Sequence, residues 1–154
     1  MTVSRLNHAV LYVRDARRAA DFYREALDFE IVADVGNGAG VFLKAAGTAN
    51  HHDLGLFSLG PDAPGPQRGR VGLYHLAWQV DGVRDLADMR DRLSRLGALV
   101  GASDHGVSKS LYAHDPDGNE FEVMWEVPRE DWGAYETDAV VEPLDLDAVL
   151  ARYG

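Results

Sequence analysis

The chain has 154 residues, six histidines, no cysteine and a formal charge of −10. The missing thiols exclude disulfides, zinc–thiolate sites and iron–sulfur clusters, so any bound metal must take imidazole, carboxylate or neutral oxygen ligands. The acidic balance excludes the basic footprint that nucleic acid or an anionic membrane needs. No apolar run approaches membrane length, and a cytoplasmic protein is the expectation.

Residues 6–13, LNHAVLYV, read as a strand rich in β-branched and aromatic residues. Alternation places His8, Val10 and Tyr12 on one face. Asp15 can cap a helix over 16–27, where Ala19, Phe22, Tyr23, Ala26 and Leu27 recur at helical spacing. A second strand is predicted over 29–35. Gly36-Asn37-Gly38 then turns the chain into a third strand over 39–45. After Gly47-Thr48-Ala49-Asn50, HHDLGLFSL at 51–59 reads as a fourth strand. On that reading His52, Leu54 and Leu56 share a face.

Residues 60–70, GPDAPGPQRGR, form a Pro- and Gly-rich linker. The pattern then restarts. GLYHLAWQV at 72–80 resembles the first strand, with His75 in the place of His8. An amphipathic helix follows over 83–96, with Leu86, Met89, Leu93 and Leu96 on one side and Gly97 as its stop. A short strand begins over 98–101, another covers 108–113, and the last covers 121–125. The last two flank the turn Asp115-Pro116-Asp117-Gly118-Asn119, where Pro presets φ and Gly or Asn accepts a positive φ.

The order strand–helix–strand–strand–strand thus occurs twice, and an internal repeat is a fold-level signal. The predicted class is α+β: two paired βαβββ modules whose curved mixed sheets surround a metal-centred cleft. One domain spans 1–127, with module one over 5–59, the linker over 60–70 and module two over 71–127. Residues 128–154 form an acidic C-terminal extension punctuated by Trp132, Tyr135 and Tyr153, with a short helix after Asp145. The extension is expected to wrap the domain, close one end of the cleft or serve as a subunit contact. A homodimer suits a small domain with open-edged modules.

Glu122 sits between Phe121 and Val123 in an apolar strand, where a carboxylate needs a partner. A metal is one such partner. His8 and His75 hold matching places in the two modules, on the same inward faces. Each alone reads more simply as a structural histidine, and Glu122 alone as half of an ion pair. Together they form a two-His, one-carboxylate set, which leaves three octahedral positions open and suits Fe(II), with Mn(II) also accepted.

At this point the chain resembles the vicinal oxygen chelate superfamily. NHAVLYV, GLYHLAW and DPDGNEFEV carry the resemblance over about residues 5–127. The superfamily includes glyoxalase I, type I extradiol dioxygenases, and bleomycin- or fosfomycin-resistance proteins. His105, Leu111-Tyr112, Asp115-Pro116-Asp117-Gly118 and Glu122 follow the extradiol order and spacing. Ser103 departs from it, because that branch usually carries Gly, Asn, Thr or an aliphatic there. His51-His52-Asp53-Leu54 resembles the stretch bearing that branch's catalytic histidine, with His52 at the matching position. The resemblance implies an extradiol dioxygenase acting with O2 on a small aromatic diol. His8, His75 and Glu122 would be its metal ligands. His52 would be base and later proton donor, Tyr112 a hydrogen-bond donor to a substrate hydroxyl, and His105 a stabiliser of developing charge. His51 alternates away from His52 and reads as a solvent-facing or rim residue. Glu120, two residues before Glu122, points the same way but lies in the turn and matches no motif position, and His114 receives no role.

Two other readings stand beside this one. A glyoxalase-like lyase or isomerase typically adds a fourth ligand, a carboxylate on the last strand of the first module, and no Glu stands there. Antibiotic-binding relatives of the bleomycin type usually lack the metal triad, which is present here.

Overall fold

The structure is a computed structural model and describes residues 2–154. It holds eight strands and three α-helices in the predicted repeated order. The strands form two mixed four-stranded sheets, so the fold is α+β. The chain divides into two compact units. The first is the chain up to Gln67 together with Pro116–Gly118; the second is Arg68–Asp115 with Asn119–Gly154.

In the first unit β1 (Ala9–Val13), α1 (Ala16–Leu27), β2 (Glu30–Val35), β3 (Gly40–Lys44) and β4 (Leu54–Ser58) follow one another. The sheet order is β1-β4-β3-β2. β1 runs parallel to β4, and the remaining pairs are antiparallel. Asp15 caps α1 by accepting from the backbone N–H groups of Arg17 and Arg18. The helix ends at Asp28, which adopts a positive φ and donates its N–H to Arg24 O. The buried side of α1 carries Ala16, Ala19, Ala20, Tyr23 and Ala26. Four of the five are alanine, so the helix can lie close on β3 and β4, against Val41, Leu43, Leu54 and Leu56.

Three strands begin three residues later than their sequence suggests, and β5 (His75–Val80), expected from Gly72, is one of them. β1 starts at Ala9 and β4 at Leu54, so His8 and His52 stand just ahead of the ladder. Asp53 explains the case of β4. Its carboxylate accepts from Ala45 N at 2.9 Å, Thr48 Oγ1 at 3.2 Å and Asn50 Nδ2 at 2.6 Å. A carboxylate that gathers local donors builds a turn in place of a strand. The turn also breaks the alternation expected along 51–59. Leu54 and Leu56 are fully buried on the helix side, opposite Ala9 and Leu11 of β1, and the other face of β4 carries Gly55 and Phe57. His52, Leu54 and Leu56 therefore do not share a face.

In the second unit the order is β5 (His75–Val80), α2 (Val83–Arg95), β6 (Leu99–Asp104), β7 (Ser108–His114), β8 (Glu120–Glu126) and α3 (Leu146–Tyr153). The sheet order β5-β8-β7-β6 repeats that of the first unit. Leu111, Ala113, Phe121, Val123 and Trp125 face the core with Leu86 and Leu93 of α2. The turn before β8 is tied by Asp115, which accepts from Asn119 N and Asn119 Nδ2, each at 2.9 Å. Asp117 belongs to the first unit. There it accepts from Arg14 N at 3.0 Å and Arg14 Nη1 at 2.8 Å.

The C-terminal segment belongs to the second unit. α3 packs on α2, Leu146 and Val149 enter the core, and the Tyr153 ring lies tilted against that of Trp125, 5.1 Å away. Glu142 forms a two-way antiparallel bridge with Asp104, with N···O distances of 2.8 and 2.9 Å. Among the described residues no helix is long and apolar enough to cross a membrane.

Candidate functional site

The face of the second sheet turned away from α2 collects its polar side chains by register. In an antiparallel ladder directly opposed residues share a face. Tyr112 opposes Glu122 and His114 opposes Glu120. On the other side of β8, in the parallel ladder, His75 pairs with Glu120 and Ala77 with Glu122. His75, Tyr112, His114, Glu120 and Glu122 therefore stand on one surface.

His75 Nε2 and Glu122 Oε2 are 3.1 Å apart. Glu122 is only 9% exposed, an uncommon position for a carboxylate without a cation or strong donor beside it. Two ligands bound at about 2.1 Å in adjacent octahedral positions lie about 3.0 Å apart. The imidazole nitrogen and carboxylate oxygen thus fit neighbouring positions on one divalent metal. His75 Nδ1 is buried without a hydrogen-bond partner, and Glu120 Oε1 lies 3.7 Å from it. Glu120 Oε2 in turn stands 3.5 Å from His114 Nε2. Glu120 is the first residue of β8 and not part of the turn. Its spacing from Glu122 was the signal for this placement, since residues two apart in a strand share a face.

Tyr112 and His105 form a pair. Tyr112 Oη lies 2.7 Å from His105 Nε2, and His105 Nδ1 lies 3.0 Å from the carbonyl oxygen of Val140. Burial and the negative charge of Glu122 push the Tyr112 phenol above its ordinary value of 10.0, so it holds its proton at neutral pH. The Tyr112 and His75 rings are 5.7 Å apart.

The first unit carries the other histidines. His8 Nδ1 lies 2.9 Å from Asn7 Oδ1, and its ring is 4.6 Å from that of His52. His52 rests edge-on to Phe42, 5.0 Å away, and its Nδ1 is 3.1 Å from His51 Nδ1. Burial, then the neighbouring His8 and His51 imidazoles, lower the His52 pKa from its ordinary 6.5. His51 is exposed, as its rim assignment expected. The structure thus brings together His75 with Glu122, Tyr112 with His105, and His8 with His52. Among the described residues no three His, Asp or Glu side chains gather as a metal-holding group.

Residues 5–123 match the Glyoxalase/Bleomycin resistance protein/Dioxygenase superfamily, and the chain belongs to that superfamily. Among its relatives is the catechol-2,3-dioxygenase of Bacillus subtilis (strain 168), 32% identical over 128 residues, which span 82% of this chain and 43% of that protein. The biphenyl-2,3-diol 1,2-dioxygenase 3 of Rhodococcus globerulus is 36% identical over 129 residues, 80% of this chain and 65% of that protein. The chain therefore spans less than two thirds of either dioxygenase. Among solved structures, the lactoylglutathione lyase from Agrobacterium tumefaciens superposes with a TM-score of 0.61 at 27% identity, covering 81% of this chain and 96% of that one.

Proposed function

We propose that this chain is an extradiol ring-cleaving dioxygenase that uses O2 to open a catechol-type diol beside its two hydroxyls. The observation that carries the reading is the convergence of His75 Nε2 and Glu122 Oε2, 3.1 Å apart, on a surface that also presents Tyr112. Similarity to two proteins named as dioxygenases supports it. His75, Glu122 and His8 would hold Fe(II), with Mn(II) as the other metal this donor set accepts. When bound, the metal would draw the diol in as a chelating anion and bring it beside dioxygen.

The chain's own residues supply orientation and proton handling. A diol that chelates must lose a proton, and His52 is a neutral imidazole suited to receive it. Tyr112 would hydrogen-bond the bound diol through its hydroxyl, and His105, 2.7 Å from that hydroxyl, would stabilise developing charge. Phe42 packs edge-on against His52 and helps to hold that ring in place.

A lyase or isomerase reading draws on the similarity to the lactoylglutathione lyase. It wants a fourth ligand, a carboxylate, from the last strand of the first module. There Leu54 and Leu56 face the core, and Asp53 is committed to Ala45, Thr48 and Asn50. The test is to purify the protein anaerobically, add Fe(II) and follow absorbance with a panel of catechols under air. A coloured ring-cleavage product that disappears in His75→Ala and Glu122→Ala is expected. No turnover across the panel, together with tight metal-independent antibiotic binding, would overturn the reading.

A further inference from the structure

The C-terminal segment lies beyond the part of the chain that matches the superfamily, yet it touches the turn that carries His105 at three successive residues. Glu142 bridges Asp104 through both backbone bonds, Val140 reaches His105, and Tyr135 covers Gly106. The last contact is tight. Gly106 has a φ of +75°, and a Cβ built on it would lie 2.5–2.8 Å from atoms of the Tyr135 ring, so the turn and the segment are shaped to each other. The turn is also held from within. Gly106 N donates to Asp104 Oδ1 at 2.8 Å, and the buried Lys109 ammonium binds that oxygen and the Gly106 carbonyl.

We propose that this segment is a positioning part of the site: the Val140 carbonyl fixes the proton of His105 on Nδ1 and thereby makes the Tyr112 hydroxyl a hydrogen-bond acceptor toward a bound ligand. A backbone carbonyl can only accept, so the 3.0 Å contact requires a hydrogen on Nδ1. The neutral ring then has its lone pair on Nε2. That lone pair, 2.7 Å from Tyr112 Oη, takes the single hydroxyl proton of the tyrosine. Only oxygen lone pairs remain on Tyr112 to meet a ligand. The ligand atom opposite must therefore carry a hydrogen, as a free phenolic hydroxyl does and a methyl ether does not. This reverses the direction expected from the sequence, where Tyr112 was to donate. The ligand class rests on the dioxygenase reading; the proton arrangement does not.

The test is nitrogen NMR of the full chain, metal-free and labelled with 15N-histidine, at a pH where the imidazoles are neutral. The His105 signals are those lost in His105→Gln. The wild-type protein should show the Nδ1–H form at His105. Tyr112→Phe should keep it, because Val140 still holds the ring. Glu142→Pro removes one of the two bridge hydrogen bonds and should shift His105 toward the Nε2–H form. An Nε2–H form in the wild type, or a flip in Tyr112→Phe, would overturn the proposal. If Glu142→Pro fails to fold, the other two spectra decide alone. Because no metal or diol is present, a failure of ring cleavage would leave this result standing, and the reverse also holds.

Discussion

His75 and Glu122 come from adjacent parallel strands and bring a ring nitrogen and a carboxylate oxygen to 3.1 Å. The pair is placed by sheet register and not by loop conformation, so each donor is held where its strand puts it. Removing either donor should weaken Fe(II) or Mn(II) binding by more than the ~10–100-fold that outer-shell changes cost. Anaerobic titration calorimetry of His75→Ala and Glu122→Ala measures this, and unchanged affinity in both would place the metal elsewhere.

His52 sits against His8 and Phe42 and is the proposed proton acceptor. His52→Ala should keep metal binding and lower turnover by about 10²–10⁴-fold, the range of a missing general base. Loss of the metal in this variant would instead make His52 a ligand.

Asp53 organises the turn that carries His52. Asp53→Ala leaves Ala45 N and Thr48 Oγ1 without their acceptor and removes one of the two that Asn50 Nδ2 has, the other being Asn7 O, and should cost about 2–3 kcal/mol. Urea unfolding reads the stability. Because the turn sets the position of His52, turnover should fall further than the stability loss explains, at temperatures where the variant is still folded.

Asp117, 7% exposed at its side chain, receives both the backbone N–H and the guanidinium of Arg14. Asp117→Ala should destabilise the protein by about 1–2 kcal/mol, moderated because Arg14 is partly solvated. Asp117→Asn, which keeps one acceptor oxygen, should recover part of the loss in the same urea titration.

Asp34 accepts from Arg17 Nε at 2.6 Å and from Gly38 N at 2.8 Å. The Arg17 hydrogen bond, aided by that of Gly38 and opposed by burial, holds its carboxyl below the ordinary 3.8. A depressed folded pKa means that the unfolded chain binds the proton more readily as pH falls. The contribution is therefore present above about pH 4 and lost as pH drops through the folded value. The stability gap between wild type and Asp34→Asn should be open at pH 6 and narrow toward pH 3. A gap independent of pH would remove the ion pair from the account.

Much of the architecture is legible in the chain because periodicity is local. The 3.6-residue recurrence of Ala19, Tyr23 and Ala26 sets α1, and the alternation of Phe121, Val123 and Trp125 sets β8. The repeat of NHAVLYV as GLYHLAW announces the second module before any coordinate is known. Glu122 opposite Tyr112 follows from a tight turn between two alternating strands, so that part of the candidate site is legible as well.

The sequence by itself determined the repeated βαβββ order, the lack of thiols, and the imidazole and carboxylate groups that can meet a metal. Tertiary structure alone decided that Asp53 pulls His52 out of the strand, that Asp117 serves Arg14, and that the Val140 carbonyl meets His105 Nδ1. The physical reason is the same in each case. Such hydrogen bonds depend on where single polar atoms fall, many of them between residues far apart in the chain, and they leave no periodic trace in composition or spacing.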